Sequence, residues 1–245
     1  MLVLDYVAMQ PRLALGEEVS WRAAQRPARV SLRGTHMLVR PIAADADAQP
    51  LFAASHPADG DRALWTYLPD GPYESPEHLH GTLVWAASAP DALYFALAPL
   101  PGERPQGIAA YLRITPEMGV IELGHIWFGA QLQRTTAATE AIYLLARHAF
   151  DELGFRRLEW KCNALNAASR GAAERFGFTF EGIFRKHQIV KGRNRDTAWF
   201  SITDDEWPSI RSAYESWLAP ENFDDGAVQK RPLRELMRAA RGLPS

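Results

Sequence analysis

Apolar and charged positions alternate without a fault at Arg157-Leu158-Glu159-Trp160-Lys161-Cys162. This period of two predicts a half-buried strand with Leu158, Trp160 and Cys162 on the core side. Just before it the period lengthens. Ala138, Ala141, Ile142, Leu145, Ala149 and Leu153 fall on one helical stripe, and Gly154 supplies a left-handed C-cap. A second helix is expected over 166–176, opened by Asn166 and closed by Gly177. Strands over 178–190 and 196–203 follow, joined by the polar turn Lys191-Gly192-Arg193-Asn194. Asp204 or Asp205 is placed to cap a last helix ending near Leu218.

The N-terminal half is read in the same way. Residues 31–42 form a strand or hairpin entry that Pro41 ends. Helices are expected over 45–56 and 75–88, the latter with Ser75 as N-cap and Pro76 in the first turn. An apolar run covers 93–98. Strands are expected over 106–114 and 120–128, with Pro116 and Gly119 in a hairpin turn between them. This order argues for the α+β class, one sheet with helices on both faces. It gives one domain over 31–219, an N-terminal extension 1–30 that is either docked on the surface or a partly ordered arm, and a basic tail 220–245 in which 232–241 fits a short amphipathic helix.

Composition narrows the classes. The chain has 245 residues, a net charge of 27 − 29 = −2, and one cysteine, Cys162. A disulfide framework and a cysteine-based zinc finger are excluded. The charge argues against a generic nucleic-acid surface. The start MLVLDYVAM makes a poor signal peptide, and no apolar run is long enough to span a bilayer. A cytoplasmic protein without membrane association is the simplest expectation.

Two junctions carry candidate chemistry. The helix after the 120–128 strand opens with Gln133-Arg134-Thr135-Thr136-Ala137-Ala138. Small residues there let a phosphate reach the first-turn amides at the positive end of the helix dipole, and Arg134 can add a charge. An ordinary cap by Thr135 or Thr136 explains the same residues. Asn166 and Ser169 open the next helix, where a plain cap is again sufficient.

Together these residues resemble the GNAT N-acetyltransferase superfamily, specifically its RimJ/RimL-like branch. That superfamily marks its acetyl-coenzyme A loop with Gln/Arg-x-x-Gly-x-Gly/Ala, and Gln133 to Ala138 occupy that motif, followed by Thr139-Glu140-Ala141. Asn166 and Ser169, Glu174-Arg175-Phe176-Gly177-Phe178, and Gly192 with Arg195-Asp196-Thr197 and Ser201 are similar to later elements of the branch. The resemblance covers 31–219 and implies a mixed, mostly antiparallel central sheet. The central loop glycine of the motif is Thr136 here. A β-branched residue is strained there if φ is positive, and tolerated if the position is already first-turn helix; the second is expected.

The resemblance implies attack of an amine on the thioester of acetyl-coenzyme A, a co-substrate, with no metal. Glu122 is the expected base and His125 its rival. They lie three apart, so an unbroken strand points them to opposite faces, and a bulge at Gly124 would alter that. Backbone N–H groups near Ile126, Trp127 and Phe128 are expected to meet the oxyanion. Gln133, Arg134, Thr135, Thr136, Ala137, Ala138, Thr139, Asn166 and Ser169 are the expected coenzyme contacts. The branch's usual tyrosine acid has no match in 172–175, which leaves Ser169, water, or no acid at all. Trp65, Tyr67 and Tyr73 are the expected acceptor contacts, with an apolar core cluster as the alternative. Cys162 reads as core packing. The i, i+2 spacing of His78 and His80 does not place them on one helix face, and no carboxylate cluster accompanies them, which argues against a metal. The hairpin cations Arg185, Lys186, Lys191, Arg193 and Arg195 are either a solvated face or an attractor for the acceptor or for a nucleotide phosphate.

The acceptor is a protein N-terminus or a small-molecule amine. A coenzyme A-binding module without catalysis and a ribosome- or RNA-associated protein using the terminal arginines are the other classes. The tail helix permits a homodimer contact.

Overall fold

The computed structural model describes residues 13–60, 62–226 and 228–242. Eight strands form one sheet in the order β1-β2-β3-β4-β5-β6-β8-β7. They are β1 Leu32–Arg33, β2 Met37–Pro41, β3 Leu93–Pro99, β4 Gly107–Thr115, β5 Val120–Phe128, β6 Arg157–Asn163, β7 Thr179–Val190 and β8 Arg193–Thr203. Every neighbouring pair is antiparallel except β5 with β6. The helices are α1 Ala44–Ser55, α2 Pro76–Ser88, α3 Thr136–Arg147, α4 Ala167–Arg175, α5 Trp207–Leu218 and α6 Leu233–Ala240. The expected mixed sheet with helices on both faces is the observed architecture.

The two sheet faces carry separate cores. One packs β2 to β6 and β8 against α3, α4, α5 and α6, with Phe95, Tyr111, Leu158, Phe200 and Tyr214 fully buried. The other packs α1 and α2 on β3, β4 and β5 around Leu51, Trp65, Leu83 and Trp127. β3 is therefore covered on both sides, which explains why 93–98 reads as an unbroken apolar run. The helices on this second face leave β6, β8 and β7 uncovered.

Several boundaries follow their local chemistry. Ser75 caps α2 by accepting the His78 N–H at 3.2 Å. Gly154 and Gly177 adopt the left-handed conformation expected after their helices. Other expectations are corrected. The stripe 138–153 is not one α-helix: α3 ends at Arg147 and a π turn covers His148–Glu152. The β7–β8 turn is only Lys191-Gly192, both at positive φ (49° and 71°), so β8 begins at Arg193. α5 has Glu206, not an aspartate, at its N-cap. The Glu206 carboxylate accepts from the Thr203 N–H and hydroxyl, tying strand to helix.

The described part of the N-terminal extension lies along the end of the sheet. Ala24 and Gln25 donate to the carbonyls of Pro116 and Leu153, and Arg29 to that of Ala87; residues 1–12 lie outside the described residues. At the other end, Leu233, Leu236 and Met237 of α6 sit in the larger core.

Candidate functional site

β5 and β6 pair only from Val120–Glu122 to Arg157–Glu159. Beyond Glu122 the two strands share no ladder, and a cleft opens toward their C-terminal ends. A bulge in β5 accompanies this divergence. Gly124 pairs with Ala110 and Trp127 with Ile108, so His125 and Ile126 together oppose Ala109. His125 carries the strain with φ 48°. The expected bulge therefore lies one residue after Gly124. Gly124 has a different duty, since a Cβ there would come within 2.9 Å of the Glu122 carboxylate and 2.8 Å of Leu112.

The bulge turns His125 toward α1 and α2, the face that Glu122 also occupies. Trp127 is buried among the aromatic rings under those helices, while Ile126 and Phe128 pack against the opposite core.

α3 opens on one side of the cleft. The Gln133 amide donates to the Phe128 carbonyl at 2.9 Å and so ties the loop to the end of β5. Arg134 takes the left-handed conformation, φ 62°, and its side chain is exposed. Thr135 is the N-cap and accepts the Ala138 N–H at 3.1 Å. Thr136 is the first helical residue, so its β-branch is tolerated, and the positive φ of the loop falls on Arg134. The amides of Thr136 and Ala137 precede the helical hydrogen-bond ladder and point out of the helix end. Thr139 is fully buried and accepts from Arg175 at 3.1 Å, which makes it a link between α3 and α4 and sets it apart from the expected coenzyme contacts.

α4 opens on the other side. Asn166 caps it by accepting the Ser169 N–H at 3.0 Å. The Ser169 hydroxyl accepts the Trp160 indole N–H at 3.1 Å. Burial pushes the neighbouring Cys162 thiol up, away from the thiolate form.

At the vertex of the cleft, the buried Glu122 carboxylate accepts from Arg113 and, at 2.9 Å, from Lys161. Lys161 also holds Glu159 at 2.7 Å, and its Nζ lies 3.9 Å from the Trp199 ring centre. Glu159 in turn accepts from Arg157, which forks onto Glu181 at 2.7 and 2.6 Å. The Arg157 bonds hold the Glu181 carboxyl below the usual range. This network corrects the reading of β6 as half-buried. Only 4% of the Lys161 side chain is exposed, because paired charges and an indole cover the face that alternation assigned to water.

His125 faces a different partner. Its Nε2 lies 3.7 Å from Oδ2 of Asp70, the oxygen that also accepts the Tyr73 hydroxyl. Burial lowers the His125 pKa, and the Asp70 charge opposes that shift. Trp65 and Tyr73 join Tyr94, Trp127 and His125 around a small enclosed cavity. Tyr67 stands apart, half-exposed, reaching the Leu165 carbonyl at 3.3 Å. Lys191, at the tip of the β7–β8 turn, donates to the carbonyls of Trp65 and Asp70 and pins this loop. His80 bonds Asp45, and the His78 ring packs on Tyr73.

Asp70, Arg113, Lys161 and Trp199 are absent from the sequence-based site, where Lys191 stands only as one of the hairpin cations. Lys161 and Trp199 read there as ordinary strand positions, and no pattern singles out Asp70. Four buried side-chain atoms in this region lack hydrogen-bond partners among the described residues: Asp70 Oδ1, Arg170 Nε, Arg195 Nε and Trp199 Nε1.

Comparison with known proteins agrees with this architecture. The family model of the acetyltransferase (GNAT) domain matches residues 36–179. No curated protein matches the chain. The crystal structure of a GCN5-related N-acetyltransferase from Brucella melitensis is 44% identical, covers 89% of this chain and 98% of its own, and superposes with a TM-score of 0.85. A structure assigned to the GNAT family from Chromobacterium violaceum is 37% identical over 81% of this chain and 100% of its own, TM-score 0.74. The Salmonella typhimurium enzyme that modifies the N-terminal serine of ribosomal protein L7/L12 is 19% identical over 69% of this chain and 96% of its own, TM-score 0.57, and shares the fold.

Proposed function

Because this chain belongs to the GNAT acetyltransferase family, whose domains use acetyl-coenzyme A, we propose that it acetylates a primary amine, with the coenzyme in the β5–β6 cleft and the acceptor entering from the face of α1 and α2. One observation carries this reading: two strands that part at Glu122 and Glu159, each followed by a helix whose N-terminus faces the opening. The residues present fit coenzyme A. The Thr136 and Ala137 amides, with Arg134, suit its pyrophosphate. The unpaired edge of β5 from Gly124 to Phe128 suits its amide-bearing arm. The Nε groups of Arg170 and Arg195, which have no partner among the described residues, are further donors on the β6 side. When bound, the coenzyme supplies the acetyl group as a thioester.

The chain's own residues do the rest. His125 is the proton acceptor in this reading, because burial keeps its imidazole neutral and Asp70 stands ready to pair with the imidazolium. Glu122 acts through charge. Held by Arg113 and Lys161, it fixes the vertex of the cleft and is poorly placed to accept a proton. Ser169, bonded to Trp160, shapes the far side of the cleft. The order of motifs supports the RimJ/RimL-like branch.

The test is free-thiol release from acetyl-coenzyme A with a panel of amines, alongside melting temperature. A rise in melting temperature with acetyl-coenzyme A but not with NAD, and thiol release with at least one amine, is expected. Binding without release across the panel would leave only a coenzyme-binding module, and no binding would overturn the cleft assignment.

A further inference from the structure

We propose that the cavity between Asp70 and His125 receives the head of the acceptor and selects an unbranched primary alkylamine, R–CH2–NH3+, an inference that rests on the acetyl-transfer reading above. The cavity measures about 30 Å3 and is walled by Trp65, Tyr73, Tyr94, Trp127 and the inner side of α2. Its polar groups converge from separate elements: Asp70 and Tyr73 from the loop before α2, Thr82 from α2, and His125 from the bulge of β5.

Asp70 specifies the charge of the ligand. Oδ2 is satisfied by Tyr73, while Oδ1 is buried without a donor. Lys191 does not fill that place, since its Nζ is bound to the main-chain oxygens of Trp65 and Asp70. A buried carboxylate oxygen without a partner is costly, so a donor brought by the ligand is strongly favoured there. The rings around it suit a cation. Trp65 and Tyr73 meet edge-on at 5.2 Å and Tyr94 and His125 at 5.3 Å, while Trp65 and Trp127 are tilted with their centres 5.8 Å apart. An anionic head would meet Asp70 with like charge.

The volume specifies the shape. A space of this size holds a group not much larger than water. An ammonium with its first methylene fits. The α-carbon of a peptide N-terminus other than glycine, bearing both a side chain and a carbonyl, exceeds it, so a small-molecule or chain-end amine is favoured over such an N-terminus. In the reaction, one N–H proton passes to His125 and then to solvent. The nitrogen bonds the acetyl carbon as the C–S bond breaks, and a second N–H proton leaves with the sulfur as free thiol.

The test compares benzylamine and 1,4-diaminobutane with 1-phenylethylamine and with tripeptides beginning in alanine or serine, at fixed acetyl-coenzyme A. The unbranched amines should have kcat/KM roughly 10–100-fold above the branched ones. Asp70→Asn should raise KM for benzylamine at least about tenfold, while the melting-temperature shift with coenzyme A stays as in the wild type and shows that the variant is folded. Equal or faster turnover of 1-phenylethylamine or the peptides overturns the proposal and leaves acetyl transfer standing. So does an unchanged benzylamine KM in folded Asp70→Asn. Thiol release with none of the amines removes the acetyl-transfer reading itself.

Discussion

Lys161 holds the Glu122 carboxylate at 2.9 Å across the point where β5 and β6 part. One ammonium thus ties together the two strands that diverge to make the cleft, because it also bonds Glu159 on its own strand. The pairing decides what Glu122 can do. Its Oε2 is taken up by both Arg113 and Lys161, so the carboxylate is engaged in holding the strands together.

Glu122→Gln therefore separates two roles. It should destabilise the fold by about 1–3 kcal/mol, since buried donors lose a charged acceptor. The acidic limb of the kcat/KM profile should remain, read as rate against pH with benzylamine. Loss of that limb would make Glu122 the base.

His125→Ala should reduce kcat roughly 10²–10⁴-fold and abolish the acidic limb, with coenzyme binding retained. In the wild type that limb should fall below the ordinary histidine value near 6.5, because burial favours the neutral ring. Asp70 raises the His125 pKa, and Tyr73, Tyr94 and the Lys191 ammonium border the pair. Asp70→Asn should therefore move the limb to still lower pH, and a move upward would contradict the assignment.

Thr136→Glu gives effects of opposite sign on stability and binding. A carboxylate at the first helical position stabilises α3 by about 0.3–1 kcal/mol through the helix dipole. The same charge should repel coenzyme phosphates and weaken binding at least tenfold, more at low salt, as titration calorimetry would record. Tighter or unchanged binding would remove the phosphate site from this helix end.

Global stability should decline as pH falls from about 7 toward 5. Burial lowers the pKa of His56, His125 and His148 in the folded chain. Below about 6.5 the unfolded state then binds more protons than the native state, and protonation favours unfolding. Glu181, whose carboxyl is lowered by Arg157, adds its loss only below the usual carboxylate range. Denaturant melts at three pH values between 5 and 7.5 would test the sign.

Met237→Ala should cost about 2–5 kcal/mol, the range for a buried methionine in a packed core. Met237 is 3% exposed, in the cluster that holds Trp207 and Tyr214. A midpoint unchanged in urea would mean that α6 is dispensable.

Much of the architecture was legible from local pattern. The α3 stripe, the β6 alternation and the caps Ser75, Asn166 and Gly177 act through neighbours within a few residues, where backbone chemistry is decided. The position of Thr136 at the start of a helix was read on the same grounds. The cap at Thr135 was likewise visible, because a helix start depends on its own first turn.

The charge network and the Asp70–His125 pair were not legible. Periodicity assigns Lys161 and Glu159 to water, and only the arrival of Glu122 from β5 and Trp199 from β8 lets them be buried as satisfied charges. His125 changes face because one residue of β5 is left unpaired opposite β4, which is a property of two strands in register. Asp70 meets it across 55 positions of chain because Lys191 pins the loop from the far hairpin. Sequence alone determined most of the elements, their order and the helix caps, since these rest on short-range hydrogen bonding and apolar spacing. Tertiary structure alone decided which carboxylate meets two cations and which imidazole meets Asp70, since burial and partner charge are set by residues distant in the chain.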